Sequence, residues 1–251
     1  MLENRKRLLL RADDLGFSEA VNLGIAKSIK QGLIRSVGLM TNMDASAHGV
    51  DLICDTKVCL GQHTNICVGR PLTDPKLIPS LTQPNGEFKT SREYRSSTED
   101  FVNLDEVIIE IEAQYEAFKK LTGTKPQYFE GHAVASANFF KGLEIVAKRH
   151  GLDYLEFSMD ASPIHFKDKK LHMVMESMKA DYNPYETLKN ITYKDDVVEM
   201  MVCHPGYLDD YILTHSSLTI PRTKEVAMLC SNEARDWITD NGIQIVTYAD
   251  L

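Results

Sequence analysis

The chain has 251 residues, of which 43% are apolar and 25% charged, with 14 Gly and 9 Pro; this is the balance of a globular protein and excludes collagen-like, low-complexity and wholly disordered chains. At ~150 residues per domain the length suits one large α/β unit, so residues 1–251 are expected to form a single domain. With 28 Lys+Arg against 36 Asp+Glu the formal charge is −8, which repels polyphosphate backbones, and nucleic acid is not an expected partner.

No apolar run approaches the ~20 residues of a membrane span. The basic start from Met1 to Arg7 leads into an apolar run of only Leu8 to Leu10, which Arg11 and Asp13 end, unlike a secretory signal. A cytoplasmic protein with no membrane partner is the expectation, and a homodimer is the expected assembly because symmetric dimers are the commonest oligomers. The five Cys contain no C-x-x-C spacing, so buried, reduced thiols are expected rather than a disulfide framework or a zinc ribbon.

In chain order, Leu8 to Ala12 reads as a strand. Ser18 is a candidate N-cap for a helix carrying Val21, Ile25 and Ile29 at four-residue spacing and ending before Gly32. Val37 to Met40 is a second strand, a short helical stretch follows near Gly49 to Cys54, and Val58 to His63 is a third strand. Asn103 with Glu106 resembles a capping box, opening a helix with a Val107, Ile111, Tyr115, Phe118 stripe that Gly123 closes. Tyr128 to Glu130 is a fourth strand, Phe139 to His150 a helix closed by Gly151, and Tyr154 to Phe157 a fifth strand. Val197 to Cys203 is a buried type of strand, Pro221 to Asp240 one long helix, and Ile243 to Val246 the last strand.

Strands alternating with helices predict a parallel sheet of about seven strands, and at this length a (β/α) barrel of about seven or eight units rather than an open sheet. Two stretches break the rhythm. Cys67 to Asp100 holds four of the nine prolines and Asn85-Gly86, so a long loop at about 67–100 is expected, of the kind that serves as a lid or binding loop. Met159 to Asp196 is mixed, with an extra strand read at Leu171 to Met175.

The polar residues of interest fall where strands end. Asp13 and Asp14 follow the first strand, Asn42 the second, His63 ends the third, His132 the fourth, and His204 the strand from Val197 to Cys203. In a parallel barrel those ends share the face that carries active sites. Taken alone, Asp13-Asp14-Leu15-Gly16 reads equally as a cap and turn, and His63 as an ordinary strand histidine. Together they form a constellation in which one carboxylate and two imidazoles can hold a divalent ion with positions left open. Successive side chains on an extended strand alternate, so one aspartate is expected to ligate and its neighbour to act as general base on water. His204-Pro205-Gly206 is either a turn or the source of a general acid. Arg70, in Gly69-Arg70-Pro71, is a candidate anion contact, and with Asn42 makes the substrate-contact pair. No G-x-G-x-x-G, G-x-x-x-x-G-K-[ST] or G-x-S-x-G motif is present.

The blocks Leu9-Leu10-Arg11-Ala12-Asp13-Asp14-Leu15-Gly16, Gly61-Gln62-His63-Thr64-Asn65 with Gly69-Arg70-Pro71-Leu72, Asn85-Gly86-Glu87-Phe88, Gly131-His132 and Val202-Cys203-His204-Pro205-Gly206-Tyr207 resemble, in order and spacing, the YdjC-like carbohydrate deacetylases, described also through chitooligosaccharide deacetylases. The resemblance extends to Ile243-Gln244-Ile245-Val246-Thr247-Tyr248 and so covers nearly the whole chain. It implies a distorted barrel that removes acetyl groups from N-acetylated sugars, such as small chitin oligosaccharides or their phosphates. It implies Asp14, His63 and His132 as metal ligands, Asp13 as catalytic base, His204 as acid, and one magnesium or zinc ion as cofactor. Two imidazoles and one carboxylate suit zinc by softness, since magnesium prefers oxygen. The chain departs from the family after His132, where Ala133, Val134, Ala135 and Ser136 replace a histidine-rich run; substrate preference and turnover are what this departure bears on. The alternatives are a sugar-binding or regulatory barrel with impaired turnover, and a metal hydrolase or isomerase of another small molecule. An iron oxygenase with the same facial ligands is a further one.

Overall fold

The computed structural model describes residues 6–156 and 163–251. The start from Met1 to Arg5, and Phe157 at the end of the expected fifth strand, lie outside them. The strands are β1 (Arg7–Leu15), β2 (Ser36–Leu39), β3 (Cys59–Thr64), β4 (Phe129–Gly131), β5 (Ile164–Phe166), β6 (Lys169–Val174), β7 (Val197–Cys203) and β8 (Gln244–Val246). The helices are α1 (Glu19–Lys30), α2 (Ser46–Ile53), α3 (Ser91–Ser96), α4 (Leu104–Thr122), α5 (Ala137–His150), α6 (Pro184–Lys189), α7 (Asp210–His215), α8 (Ile220–Leu229) and α9 (Asn232–Asp240).

One sheet runs in the order β4-β3-β2-β1-β7-β6-β5, with β8 paired to the first residues of β1. Among the described strands of this sheet, the pairings are parallel except β5 with β6. The sheet curls into an incomplete barrel. Its edges approach each other through residues 153–156, where Leu155 N donates to Phe129 O at 2.9 Å and Glu156 N to His165 O at 3.4 Å. Around Tyr154 the expected fifth strand is therefore a single bridge to Phe129 rather than a ladder.

The pleat sorts β1 into two columns. Leu8, Leu10 and Ala12 face outward and pack with Val21, Ile25 and Ile29 of α1. Leu9 faces inward, packing with Tyr128, Val198, Met200, Val202 and Tyr248. Burial on both faces is what the covered strand of a parallel sheet requires, and Leu8 to Leu15 is buried throughout. Continuing the inward column by twos brings Arg11 and Asp13 into the barrel mouth.

The helix ends follow their capping residues. The Ser18 side chain accepts from Val21 N, and Gly123 and Gly151 end α4 and α5 in the left-handed conformation that glycine adopts without strain. Two details differ from the sequence reading. The expected helix from Pro221 to Asp240 is two helices, because the Ser231 hydroxyl accepts from Ala234 N and starts a new one. The capping box at Asn103 is half closed: Asn103 caps Asp105 and Glu106, but the Glu106 carboxylate accepts from Ser80 N at 2.7 Å.

That last bond helps to moor the 67–100 loop. Glu110 accepts from Leu72 N and Thr73 N, and Ile78, Leu81 and Phe88 are buried against α4 and α5. The loop carries a 3-10 turn at Pro75–Leu77 as well as α3. It is a packed part of the wall rather than a free lid.

Candidate metal centre

The strand-end positions converge as the barrel geometry demands, and a break in the β1 ladder explains how both aspartates serve one site. Ala12 pairs with Val37 and Leu15 with Leu39, so Asp13 and Asp14 together face the single residue Gly38. This is a β-bulge. Asp14 takes φ +74°, a left-handed conformation that aspartate tolerates better than most residues. The bulge turns Asp14, which strict alternation would send outward, to the same mouth as Asp13. Gly38 is needed opposite it, since a Cβ there would stand 2.9 Å from Glu130 Oε1 and 3.0 Å from His63 Cβ.

Asp14 Oδ1 lies 3.2 Å from His63 Nε2 and 3.1 Å from His132 Nδ1, and the two ring nitrogens are 2.9 Å apart. All three residues are buried. Ligands 2.0–2.1 Å from a zinc ion stand about 2.9 Å apart at right angles and about 3.4 Å apart at the tetrahedral angle, so the triangle has the edges of a shared coordination sphere. Asp14 Oδ1 is also a buried oxygen with no hydrogen bond of its own, although two imidazoles flank it. The three donor atoms lie close enough together to share one ion, and the donor set fits one divalent ion.

Two members of the cluster, Asp14 and His63, are oriented from behind. Arg222 on α8 donates from Nη2 to Asp14 Oδ2 at 2.7 Å, which leaves Oδ1 for the cluster. His63 Nδ1 pairs with Glu130 Oε1, fixing the ring so that Nε2 faces inward. Arg11 grips Asp13, with Nε 2.6 Å from Oδ1 and Nη2 donating to Oδ2 at 2.7 Å, stands 3.6 Å from Glu130 and donates to Tyr248 at 3.0 Å. Asp13, His63 and Glu130 form a second grouping of possible ligand atoms, but Arg11 already occupies Asp13 and stands beside Glu130. The sequence reading missed Glu130, although it shares the inward face with Tyr128 and His132 by period two. It also missed Arg222 and Arg11. Arg222 acts 208 positions from Asp14, and no local pattern announces that.

The electrostatics match this arrangement. Burial would raise Asp14, but Arg222 and then His132 hold it well below the usual carboxylate range. Burial would lower His63, yet Glu130 and Asp13 lift it well above the ordinary imidazole value. His132 is likewise raised to about 9 by Asp14 and the Cys67 thiol against its burial. A cation is thus favoured at the cluster, as a proton or as a metal ion that must displace it.

His204 stands apart in character. Burial pushes it down to about 4, against the pull of Asp14 and Asp13. It is therefore neutral at neutral pH, and its Nδ1 is buried without a partner. Close packing of the following loop sets its position: a Cβ on Gly24 of α1 would fall 2.5 Å from Gly206 Cα, and His204 N donates to Glu225 at 2.5 Å. Glu225 itself is raised to about 7 by burial.

Two cavities flank the cluster. The larger, about 680 Å3, is lined by Phe17, Asn42, Arg70 and Tyr211 together with Glu19, Asp44, Glu87, Asp209 and Asp210. Phe17 meets His132 edge-on, with centroids 6.1 Å apart. Asn42 lines this cleft, but its amide is spent on the wall: Nδ2 donates to Val68 O and Arg70 O, and Oδ1 accepts from Asn65. Arg70 is exposed at the rim. The smaller cavity, about 250 Å3, reaches Asp13, His63 and Glu130 directly.

Comparison with known proteins agrees with this frame. The family model described as YdjC-like protein matches residues 7–240. Carbohydrate deacetylase 2 of Listeria innocua is 30% identical over 256 residues, covering 98% of both chains. The carbohydrate deacetylase of Clostridium beijerinckii is also 30% identical, over 254 residues, covering 98% of this chain and all 100% of its own. A crystal structure of a candidate cellobiose-phosphate cleavage protein from Enterococcus faecalis superposes with a TM-score of 0.83 at 23% identity, covering 98% of each chain, and so shares the fold. On the match along its length and its identity to these relatives, the chain belongs to the YdjC-like protein family.

Proposed function

We propose that the protein is a divalent-metal-dependent hydrolase that removes acetyl groups from N-acetylated sugars, with small chitin oligosaccharides as the substrate class. The observation that carries this is the buried triangle of Asp14 Oδ1, His63 Nε2 and His132 Nδ1, whose edges of 2.9–3.2 Å suit one ion. Membership of a family that includes named carbohydrate deacetylases supports the same reading.

In this reading Asp14, His63 and His132 hold the ion, and two nitrogens with one oxygen favour zinc over magnesium. When bound, the ion supplies Lewis acidity, polarising the amide carbonyl and bringing the pKa of water down toward ~7. Asp13, fixed by Arg11 and facing the smaller cavity, takes the proton of the attacking water. Glu130 and Arg222 keep His63 and Asp14 in place. His204, neutral and partly buried, accepts a proton and passes it to the departing amine, a shuttle rather than a standing acid. Arg70 and Asn42 contribute to the sugar-binding cleft, Asn42 by holding its wall.

The five carboxylates of the larger cleft outweigh Arg70, so its field opposes a phosphorylated sugar and favours a neutral one. No helix among the described residues is long and apolar enough to cross a membrane; we place the protein in the cytoplasm, as a homodimer.

The test is acetate release from N,N′-diacetylchitobiose and from its phosphate, with zinc or magnesium supplied. Release from the neutral sugar, lost in Asp13→Ala and His63→Ala, is the expected result. Full activity in either variant contradicts the assignment, and a preference for the phosphate contradicts the charge argument.

A further inference from the structure

We infer that the smaller cavity receives the acyl part of the substrate and accepts acyl chains longer than acetyl, of about four to six carbons. This rests on the hydrolase reading above and specifies its substrate. The cavity has a charged end and an apolar body. At one end stand Asp13, His63 and Glu130, the groups nearest the reacting atoms, with Arg11 paired to both carboxylates. The body is walled by Val134, Leu155, Ile164, Met173 and Met175, with Glu156 also in its lining.

Local backbone geometry makes the space. Ala133 has φ +52°, and Val134 N donates to His132 O at 2.7 Å, so the chain turns sharply just after the His132 ring. The turn presents the small side chains of Ala133 and Ala135 to the cavity, where larger ones would fill it. An acetyl methyl occupies about the volume of one water, roughly 30 Å3, and would leave most of the 250 Å3 without contacts. A longer chain would cover that apolar wall and take it out of water. Met175, half exposed, forms the outer lip, and methionine adapts to chains of differing length.

The reaction is unchanged in its bonds: the amide C–N bond breaks, the oxygen of water joins the acyl carbon, and a short-chain carboxylate and an ammonium sugar result.

The experiment compares N-acetyl-, N-butyryl- and N-hexanoylglucosamine in two ways, by hydrolysis with zinc present and by calorimetric binding to the metal-free protein. Each added methylene is expected to tighten binding roughly threefold to fourfold, so the hexanoyl compound, with four more of them, should bind roughly 80- to 250-fold more tightly than the acetyl one. Its kcat/KM should exceed that of the acetyl compound by a similar factor. Ala135→Trp, which fills the cavity from its rim, should lower the hexanoyl-to-acetyl ratio at least tenfold in both measurements. Equal binding along the series, or a ratio unmoved by Ala135→Trp, overturns the inference. Hydrolysis of the acetyl compound alone, falling with chain length, overturns it while leaving the deacetylase reading standing. Absence of hydrolysis throughout overturns the deacetylase reading, and the binding series then still decides the cavity.

Discussion

Leu9 and Asp13 lie on the same inward face of β1, yet their surroundings have little in common. Leu9 packs among Val198, Met200, Val202 and Val246, a dry apolar plug. Asp13 stands at the mouth among Arg11, His63, Glu130 and Asp14, every one of them buried. The same pleat delivers both groups, so the difference is a matter of height along the strands. Near its start the column is filled for stability; at the C-terminal end the charges are costly to bury and are retained in mutually paired form.

The largest effect should come from unpairing a charge at the mouth. Arg222→Ala leaves the Asp14 carboxylate buried with only the imidazoles beside it, and should cost about 3–5 kcal/mol in urea unfolding. Added zinc should recover part of that loss, because the ion replaces the missing positive charge. At the other end, Leu9→Ala opens a cavity and should cost about 2–5 kcal/mol. Zinc affinity should be unchanged in this variant; a large loss of affinity would show that the two ends are not separable.

Glu130→Gln sharpens the comparison within the mouth itself. It removes the carboxylate that orients His63 and should weaken zinc binding about 10- to 100-fold in a competition titration, with the fold retained. An unchanged affinity would reduce Glu130 to a packing role.

The smallest expected effect concerns Glu225, beneath His204. Burial raises this carboxyl from 4.5 to about 7 in the folded chain, so the folded state holds its proton more tightly than the unfolded state. Its contribution to stability is fully present below about pH 4.5, declines as pH rises, and is gone above about pH 7. A single ionisation limits the slope to about 1.4 kcal/mol per pH unit. Glu225→Gln should flatten the melting temperature across that window, and an unaltered slope would show that Glu225 does not govern it.

Much of this architecture was legible in the chain. Period-two burial, caps such as Ser18 and stops such as Gly123 mark local events, and a parallel barrel brings strand ends together by topology alone. What escaped depends on pairing between distant segments. The bulge that turns Asp14 inward exists only in register with Gly38 on β2. The pairing of Arg222 with Asp14, the mooring of the 67–100 loop by Glu106 and Glu110, and the antiparallel β5 edge are likewise set by tertiary contacts. The split between α8 and α9 did have a local signal, the serine at position 231, which the apolar spacing around it obscured.

A crystal structure of the zinc-loaded protein with anomalous scattering at the zinc edge tests the central claim most directly. One ion is expected, with Asp14 Oδ1, His63 Nε2 and His132 Nδ1 each about 2.0–2.2 Å away. An ion bound elsewhere, or none at this cluster under saturating zinc, would contradict it.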